Sequence, residues 1–521
     1  MASGQALFEG VRVVDGTGAA AYTADVEVAE GRVRAIRPVP AARGSALTLA
    51  PGFIDMHAHS DLALLDDEAQ SAKLSQGVTT QVIGQDGIGY APVDDAALAL
   101  VRQQISGWNG DLPDAAYSWR DTAGFLDALE SARLGTNAAV LVPQGNLRLL
   151  TVGSADRPAT TAELGRMSGI LADGLRAGAV GMSSGLTYTP GMYADTAELE
   201  ALCAVVAEHG GYWAPHTRGY GRHALDAFAE CIGIAERTGC ALHLTHATMN
   251  FPANRGRAGE LLELIDSSTA DITLDTYPYL PGSTTLAALL PSWAHAGGPE
   301  ATLARLDDAD ARERMRVELE VTGSDGAHGE TVPWDLIQVS GVRDAAWAEA
   351  VGLTIQGWAA LRGVDATSAA LDLMRDDRLG TGILMHVGDE QNVQRIMQHP
   401  HHSAGSDGIL VGGRPHPRAW GTFARYLGHY TRELGVLTLE ECVRHLAGTP
   451  ARRLGLTDRG VVREGAVADL VLFDAETVSD RATFDEPRLP AAGIVHVLVG
   501  GEFAVRDGVR TAAAAGRLLR S

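Results

Sequence analysis

The stretch PGFIDMHAHSD, residues 51–61, decides the fold, because it joins a short apolar run to two closely spaced histidines. Side chains two residues apart on a strand point to the same face. The imidazoles of His57 and His59 can therefore reach one metal ion from the end of a strand. An H-x-H pair is weak evidence in a chain with 17 histidines, so other strands must supply the rest of the site.

Seven further apolar runs follow this stretch, separated in several places by segments with helical periodicity such as DTAELEALCAVVAEHG, residues 195–210. Eight strands with intervening helices predict a parallel (β/α)8 barrel. The further strand candidates, in chain order, are GVTTQVIG, NAAVLVPQ, AVGMSSG, YWAPHTR, ALHLTHA, ITLDTYPY and SAGSDG.

The two ends of the chain differ from its middle. Short alternating strands with glycine at the bends fill residues 1–50 and 455–521, which predicts one small β-sandwich domain built from both termini. The barrel is then expected over 51–454. Its rhythm breaks at about 281–382, and we interpret that segment as an insertion between strands seven and eight that covers the mouth of the barrel.

Composition narrows the functional class. The formal net charge of −23 disfavours binding to nucleic acid. No apolar run is long enough for a membrane span, and the N-terminal residues lack the features of a signal peptide. The four cysteines show no disulfide or zinc-finger spacing, which fits a cytoplasmic location. A homo-oligomer remains possible at this stage.

Three more candidate ligands stand at predicted strand ends: His216 on the fifth strand, His246 on the sixth and Asp407 on the eighth. The active sites of these barrels lie at the carboxyl ends of the strands. Imidazole and carboxylate groups are ligands of zinc, and an open coordination position admits water. This pattern predicts a metal-dependent hydrolase in which Asp407 transfers protons.

The sequence resembles the D-aminoacylases, or N-acyl-D-amino-acid deacylases, of the amidohydrolase superfamily. The resemblance covers residues 51 to about 500. It implies a TIM-like barrel, one or two zinc ions per chain, and hydrolysis of N-acyl-D-amino acids by a metal-bound hydroxide with an aspartate general base. The similar stretches are PGFIDMHAHSD (51–61), QGVTTQVIGQDGIGYAP (76–92), GAVGMSSGLTYTPGMYADTAEL (178–199), LDTYPYLPGSTT (274–285), SDGILVGGRPHPRAWGTFARYLGHY (406–430) and VADLVLFD (467–474).

The resemblance also implies roles for single residues. Metal ligands are expected at His57, His59, His216 and His246, and Asp407 is expected to be the general base as well as a ligand. Arg418 matches the arginine that binds the substrate carboxylate. Tyr277 or Tyr279 of the Y-P-Y motif is expected to contact the substrate, and Ser283 to line the same pocket.

Two positions depart from the family pattern. Asp86, in Gly84-Gln85-Asp86-Gly87, stands where the family usually has a metal-binding cysteine. A carboxylate can still bind or bridge zinc, although it is a harder ligand than a thiolate. Thr248 stands where the family often has a lysine for the substrate carboxylate, which leaves that task to Arg418.

Three alternatives remain open from the sequence. The chain could hydrolyse a different linear amide, such as a peptide or lipopeptide. It could be a hydantoinase-like enzyme for cyclic amides, but those enzymes bridge two metals with a carboxylated lysine, and the only lysine, Lys73, precedes the second strand. A non-catalytic scaffold is the third alternative. The acyl group and the amino-acid side chain of the substrate are left undetermined.

Overall fold

The computed structural model describes residues 5–66 and 70–521. An eight-stranded parallel sheet forms its centre, and strands adjacent in this sheet are consecutive in the chain. Most of the strand residues are buried on both faces, as expected when a sheet lies between its own core and surrounding helices. The barrel strands are Phe53–Asp55, Val78–Ile83, Asn137–Pro143, Gly181–Gly185, Tyr212–His216, Ala241–Leu244, Ile272–Thr276 and His402–Ala404.

Helices follow the strands around the outside of the barrel. Their first turns are commonly capped by side chains; Asp195, for example, accepts a hydrogen bond from the amide of Glu198 at 2.8 Å. The helices associated with the barrel are Ser71–Leu74, Asp95–Asn109, Thr122–Ser131, Gln144–Thr151, Thr161–Arg176, Thr196–Glu208, Ala224–Thr238, Ala258–Ser267, Glu390–Met397, Arg418–Arg425, Leu439–Val443 and Thr449–Arg453.

The ring of strands closes between the first and the eighth strand by a short seam. The amide of Met56 donates to the carbonyl of Ala404 at 3.1 Å, and the amide of Asp407 donates to the carbonyl of His57 at 2.8 Å. Beyond these bonds, Ala58–His59 pairs in parallel with Gly408–Ile409. The seam therefore runs directly beside two of the expected metal-binding segments.

Strands from both ends of the chain form a second, mixed sheet of eight strands. Leu47–Pro51 from the N-terminal part pairs antiparallel with Leu470–Asp474 from the C-terminal part, which joins the two halves. The predicted fold class is confirmed, while the domain boundaries at 50 and 455 stay a prediction. The other strands are Ala6–Val13, Tyr22–Ala29, Arg32–Pro38, Ile494–Val499, Glu502–Arg506 and Val509–Arg510.

The segment between the seventh and eighth barrel strands has its own hydrophobic core, in which Leu286, Trp334, Ile355 and Met374 are buried. A three-stranded antiparallel sheet, Gly282–Thr285, Ile337–Gly341 and Gly382–Met385, carries helices that include Pro299–Asp307, Ala309–Val317, Ile355–Arg362 and Ala366–Asp376. Within the described ranges, no helix is both long and apolar enough to span a membrane.

Candidate metal centre and substrate cavity

The six expected ligands converge at the carboxyl ends of the barrel strands. Each one ends a strand or follows it within a short turn, so chain segments far apart in sequence meet at the mouth of the barrel. All six side chains are buried. They are His57 and His59 after the first strand, Asp86 after the second, His216 on the fifth, His246 after the sixth and Asp407 after the eighth.

One set of donors joins the first, second and eighth strands. Nε2 of His59 lies 3.2 Å from Oδ1 of Asp407 and 3.5 Å from Oδ2 of Asp86. Nε2 of His57 lies 3.6 Å from Oδ1 of Asp86 and 3.8 Å from Oδ1 of Asp407. Two donors on one tetrahedral zinc ion, with bonds of about 2.1 Å, lie roughly 3.4 Å apart. The spacing of these four side chains therefore fits zinc.

A second set shares Asp86 with the first. Oδ1 of Asp86 lies 3.7 Å from Nδ1 of His216 and 3.5 Å from Nε2 of His246, and these two nitrogens are 3.1 Å apart. Asp86 thus belongs to both sets of potential ligands. A carboxylate with two oxygens facing two donor sets is suited to bridge a pair of metal ions.

The donor atoms themselves have unmet bonding capacity. Three buried atoms have no hydrogen-bond partner in the described part of the chain: the two ring nitrogens of His57 and Oδ1 of Asp86. A buried polar atom without a partner is costly, and a bound cation satisfies such donors. The residues present therefore fit a zinc site.

The backbone at three of these residues is unusual. Asp86, His246 and Asp407 have φ values of 56°, 28° and 47°, in the left-handed region that non-glycine residues rarely adopt. Such conformations cost free energy and persist where the surrounding structure enforces them, commonly at functional sites. The turns after the second, sixth and eighth strands are therefore held in the shape that directs these side chains to the centre.

The electrostatics reflect two carboxylates among several imidazoles. Burial lowers the pKa of His57 to about 4. Burial would also lower the pKa of His59, but its hydrogen bonds to Asp407 and Asp86 outweigh it and raise that pKa to about 10. Despite burial, the neighbouring imidazoles hold the pKa of Asp86 well below its usual range, and Arg418 and His57 do the same for Asp407. Both carboxylates are therefore ionised at neutral pH.

A cavity opens above the centre, with about 580 Å³ of space between its lining atoms when the solvent at its mouth is included. Its floor includes His59, Asp86, His216, His246 and Asp407, and its walls come from barrel loops and from the insertion. The insertion therefore contributes to the mouth of the barrel. The wall residues include Trp108, Tyr188, Tyr220, Thr248, Phe251, Tyr277, Ser283, His328, Met385 and Ile409.

The fold and this centre agree with the comparison to known sequences. The profile of the amidohydrolase family matches residues 45–505 of the chain. The chain belongs to the amidohydrolase family.

Within this family, the chain is similar to the D-aminoacylases over nearly its whole length. It is 38% identical over 509 residues to N-acyl-D-glutamate deacylase of Alcaligenes xylosoxydans xylosoxydans, covering 95% of this chain and 92% of the relative. It is 33% identical over 525 residues to D-aminoacylase of the same organism, covering 98% and 97%. This degree of similarity places the amidohydrolase in the D-aminoacylase family.

A solved structure shows the same arrangement of the whole chain. N-acyl-D-glutamate deacylase of Bordetella bronchiseptica, crystallised with zinc and a phosphonate mimic of the tetrahedral intermediate, superposes with a TM-score of 0.82 at 35% identity. The match covers 98% of each chain. The chain therefore shares its barrel, its terminal sheet and its insertion with this deacylase.

Arg418, expected at the substrate, lies beside the centre of the amidohydrolase but beneath the cavity wall. Its side chain is fully buried; Nη2 lies 2.9 Å from Oδ2 of Asp407, and its guanidinium carbon lies 4.5 Å from the ring centroid of Tyr277. Its Nε and Nη1 have no hydrogen-bond partner in residues 5–66 and 70–521. These donors have the capacity to bind one carboxylate.

The two tyrosines of the Y-P-Y motif lie in different environments. Tyr277 and Ser283 both line the cavity, and their contact with a substrate stays a prediction. The structure does not bring Tyr279 there: its hydroxyl faces Asp480 at 3.4 Å, and its ring lies under the guanidinium of Arg425. The seventh strand ends at Thr276 and the chain bends at Pro278, so the same-face relation of strand residues two apart does not hold for this pair. Substrate contact by Tyr279 is therefore not supported by its position.

Sequence reasoning missed Asp275, at the end of the seventh strand. Its Oδ1 accepts from the amide of His246 at 2.8 Å, and its Oδ2 lies 2.8 Å from Nε2 of His243 and 3.9 Å from Nδ1 of His57. Residues behind metal ligands orient those ligands. The signal was present, because Asp275 ends a strand in the same way as the expected ligands.

The cavity walls were also missed. Trp108 and Tyr188 form an edge-to-face pair with ring centroids 4.8 Å apart, and His328 from the insertion contacts the ring of Tyr220. These residues come from a helix end, a loop and the insertion, where periodicity carries no information about the site. The bridging role of a lysine is excluded for Lys73, which binds Asp55 and Ser406 below the centre.

Proposed function

We propose that the chain is a zinc-dependent N-acyl-D-amino-acid deacylase, which hydrolyses the amide bond to give a D-amino acid and a carboxylate. The observation that carries this proposal is the double set of donors around Asp86 on the floor of a solvent-open cavity. The names of the relatives support the substrate class, because the chain is similar to D-aminoacylase over 98% of its length.

The residues that would hold zinc are His57, His59, Asp86, His216, His246 and Asp407. When bound there, zinc supplies a Lewis acid that polarises the scissile carbonyl and lowers the pKa of a water molecule. The protein contributes a fixed geometry of the donor atoms. The left-handed backbone conformations of Asp86, His246 and Asp407 set the positions from which these three side chains project.

Asp407 is the proposed proton carrier. Its carboxylate is ionised because Arg418 and His57 lower its pKa, so it can accept the proton of the attacking water. As the carbon–nitrogen bond breaks, the same oxygen returns that proton to the leaving amine nitrogen. Asp407 stands at the boundary between the donor set and the cavity, where it can reach both groups.

Arg418 and Tyr277 are proposed to orient the substrate. The unpartnered donors of Arg418 match a carboxylate, and the ring of Tyr277 covers its guanidinium. Trp108 and Tyr188 narrow the cavity and limit the access of water. Fixed orientation of the amide above Asp407 increases the rate without additional chemistry.

The test is a stereochemical screen of zinc-loaded protein with N-acetyl and N-formyl amino acids, with release of free amine as the readout. We expect hydrolysis of D substrates, loss of activity in the chelated protein, and recovery when zinc returns. Hydrolysis restricted to L substrates, to peptides or to cyclic amides such as hydantoins contradicts the proposal. The cytoplasmic location and homo-oligomer formation stay predictions.

A further inference from the structure

The wall of the cavity carries few positive charges. No lysine or arginine lines it among residues 5–66 and 70–521. The remaining residues of the chain, 1–4 and 67–69, contain neither type. The carboxylates present are those of Asp86 and Asp407, both on the floor. An anionic group of a substrate therefore meets no ammonium or guanidinium group on the wall itself.

One guanidinium adjoins the cavity from below, that of Arg418. Its Nη2 forms an ion pair with Asp407 at 2.9 Å, and none of its three side-chain nitrogens has a hydrogen-bond partner in the described chain. An arginine fork binds one carboxylate in a bidentate manner. Arg418 can therefore bind the α-carboxylate of a substrate. Once it does so, this guanidinium is no longer free to bind a second carboxylate.

Thr248 is the second feature that disfavours a substrate with two carboxylates. It lines the cavity two residues after His246, and its neutral side chain leaves that wall without a positive charge. Arg343 lies on an adjoining groove that shares Trp108 and Ile409 with the cavity. Its guanidinium donates to the main-chain carbonyl of Gln103 at 2.8 Å, and neither residue lines the cavity.

The remaining wall combines neutral polar side chains, those of Asn250, Ser283 and Thr284, with an apolar and aromatic part. Phe251, Met385, Val387 and Ile409 line it together with Trp108, and each of these side chains is at least nine-tenths buried. A carboxylate placed against such a surface loses its hydration without gaining a partner. An apolar side chain placed there gains contact area at no electrostatic cost.

We infer that the substrate is a monoanion, the N-acyl derivative of a D-amino acid whose side chain is uncharged and apolar. This inference rests on the proposed function and names its substrate class. It separates the chain from its 38% identical relative, N-acyl-D-glutamate deacylase, whose named substrate carries a second carboxylate. The net charge of −23 acts in the same direction, because it opposes the approach of a dianion more than that of a monoanion.

The experiment compares three substrates of similar length on the zinc-loaded full chain: N-acetyl-D-methionine, N-acetyl-D-glutamine and N-acetyl-D-glutamate. The glutamine and glutamate substrates have nearly the same shape and differ in charge. We expect kcat/KM to be at least ~100-fold higher for methionine than for glutamate, with glutamine between them. Glutamate used as well as glutamine, or better, overturns the inference while leaving the proposed function intact. Hydrolysis of no D substrate overturns both.

A charge placed on the wall gives an independent test. Thr248→Lys supplies a second cation and is expected to raise the ratio of kcat/KM for glutamate over glutamine at least ~10-fold. Thr248→Gln, of similar length but uncharged, is the matched control and should leave the ratio unchanged. Calorimetric titration with the product D-glutamate should show tighter binding to the lysine variant alone. Equal binding and equal ratios in both variants overturn the inference.

Discussion

At the scale of single residues, Asp407 has the most demanding role, because it is both a proposed ligand and the proposed proton carrier. Asp407→Asn keeps the shape and an oxygen donor but removes the basic group. We expect turnover to fall by at least ~100-fold while zinc content stays near that of the wild type. Initial rates and metal analysis check both parts.

The matched control is Asp173→Asn, which removes a carboxylate that is 75% exposed on a helix remote from the mouth. It should leave turnover unchanged. A wild-type rate in Asp407→Asn would move the general base to another residue, whereas loss of zinc together with activity would make Asp407 mainly a ligand.

His59 gives a prediction about pH. In the metal-free protein its pKa is raised to about 10 by Asp407 and Asp86, so a proton occupies the place of the metal at neutral pH. Zinc binding must release that proton, so zinc affinity should increase with pH, by up to ~10-fold per unit below pH 10. The imidazolium stabilises the metal-free fold fully below about pH 6.5, and this contribution is lost as the pH rises through 10.

Competition with a chelator of known affinity, at several values between about pH 6.5 and 9, measures this dependence. Proton release can be followed by calorimetry in buffers of different ionisation enthalpy. His59→Gln, which carries no titratable ring, should bind zinc more weakly and with a flatter pH profile. A zinc affinity that does not change with pH in the wild type would contradict a protonated His59.

At the scale of secondary-structure elements, two glycines define how closely the loop after the second strand approaches the fourth strand. A Cβ atom on Gly185 would lie 2.0 Å from the carbonyl oxygen of Asp86, and one on Gly87 would lie 2.3 Å from the amide of Gly185. Gly185→Ala must therefore displace the backbone that carries Asp86. We expect at least ~10-fold weaker zinc binding and lower activity, measured by metal titration.

Gly169→Ala is the control on another element. Gly169 lies exposed inside the helix Thr161–Arg176, and a Cβ atom there meets nothing within 4 Å. Alanine in a helix interior is favoured over glycine by about 0.5–1 kcal/mol, so this variant should unfold at a slightly higher temperature and keep its activity. Equal zinc affinity in both variants would show that the loop adjusts to the added methyl group.

Much of the barrel is predictable at this scale, and the reasons are local. Most barrel strands are apolar runs followed by a polar turn, so their positions can be read from the sequence, as can the histidine or aspartate that ends or follows the first, fifth, sixth and eighth of them. Asp86 was placed by resemblance to the family. Trp108, Tyr188 and His328 could not be placed, because their approach to the cavity depends on how a helix and the insertion pack over the barrel.

At the scale of the whole molecule, barrel closure depends on a side-chain network across the seam. Nζ of Lys73 donates to Oδ2 of Asp55 at 2.7 Å and to Oγ of Ser406 at 2.6 Å. Oδ1 of Asp55 accepts from the amides of His57 and Ser406. The network joins the first and eighth strands where main-chain bonds are few.

Removing one charge from this network should weaken the whole fold. Lys73→Met leaves Asp55 buried without its cation, and we expect a loss of about 3–5 kcal/mol in the free energy of unfolding and reduced zinc affinity. Adding Asp55→Asn to Lys73→Met should restore part of the stability, since no unpaired charge then remains. Thermal unfolding of the single and double variants measures the coupling, and an unfolding temperature equal to wild type in Lys73→Met would contradict it.

The burial of Lys73 has a practical consequence. It is the only lysine in the chain and its side chain is fully shielded from solvent. Reagents that acylate amines can therefore reach no lysine of the folded protein until the barrel opens. Mass spectrometry of such labelling at Lys73 reports opening of the seam directly, with no introduced probe.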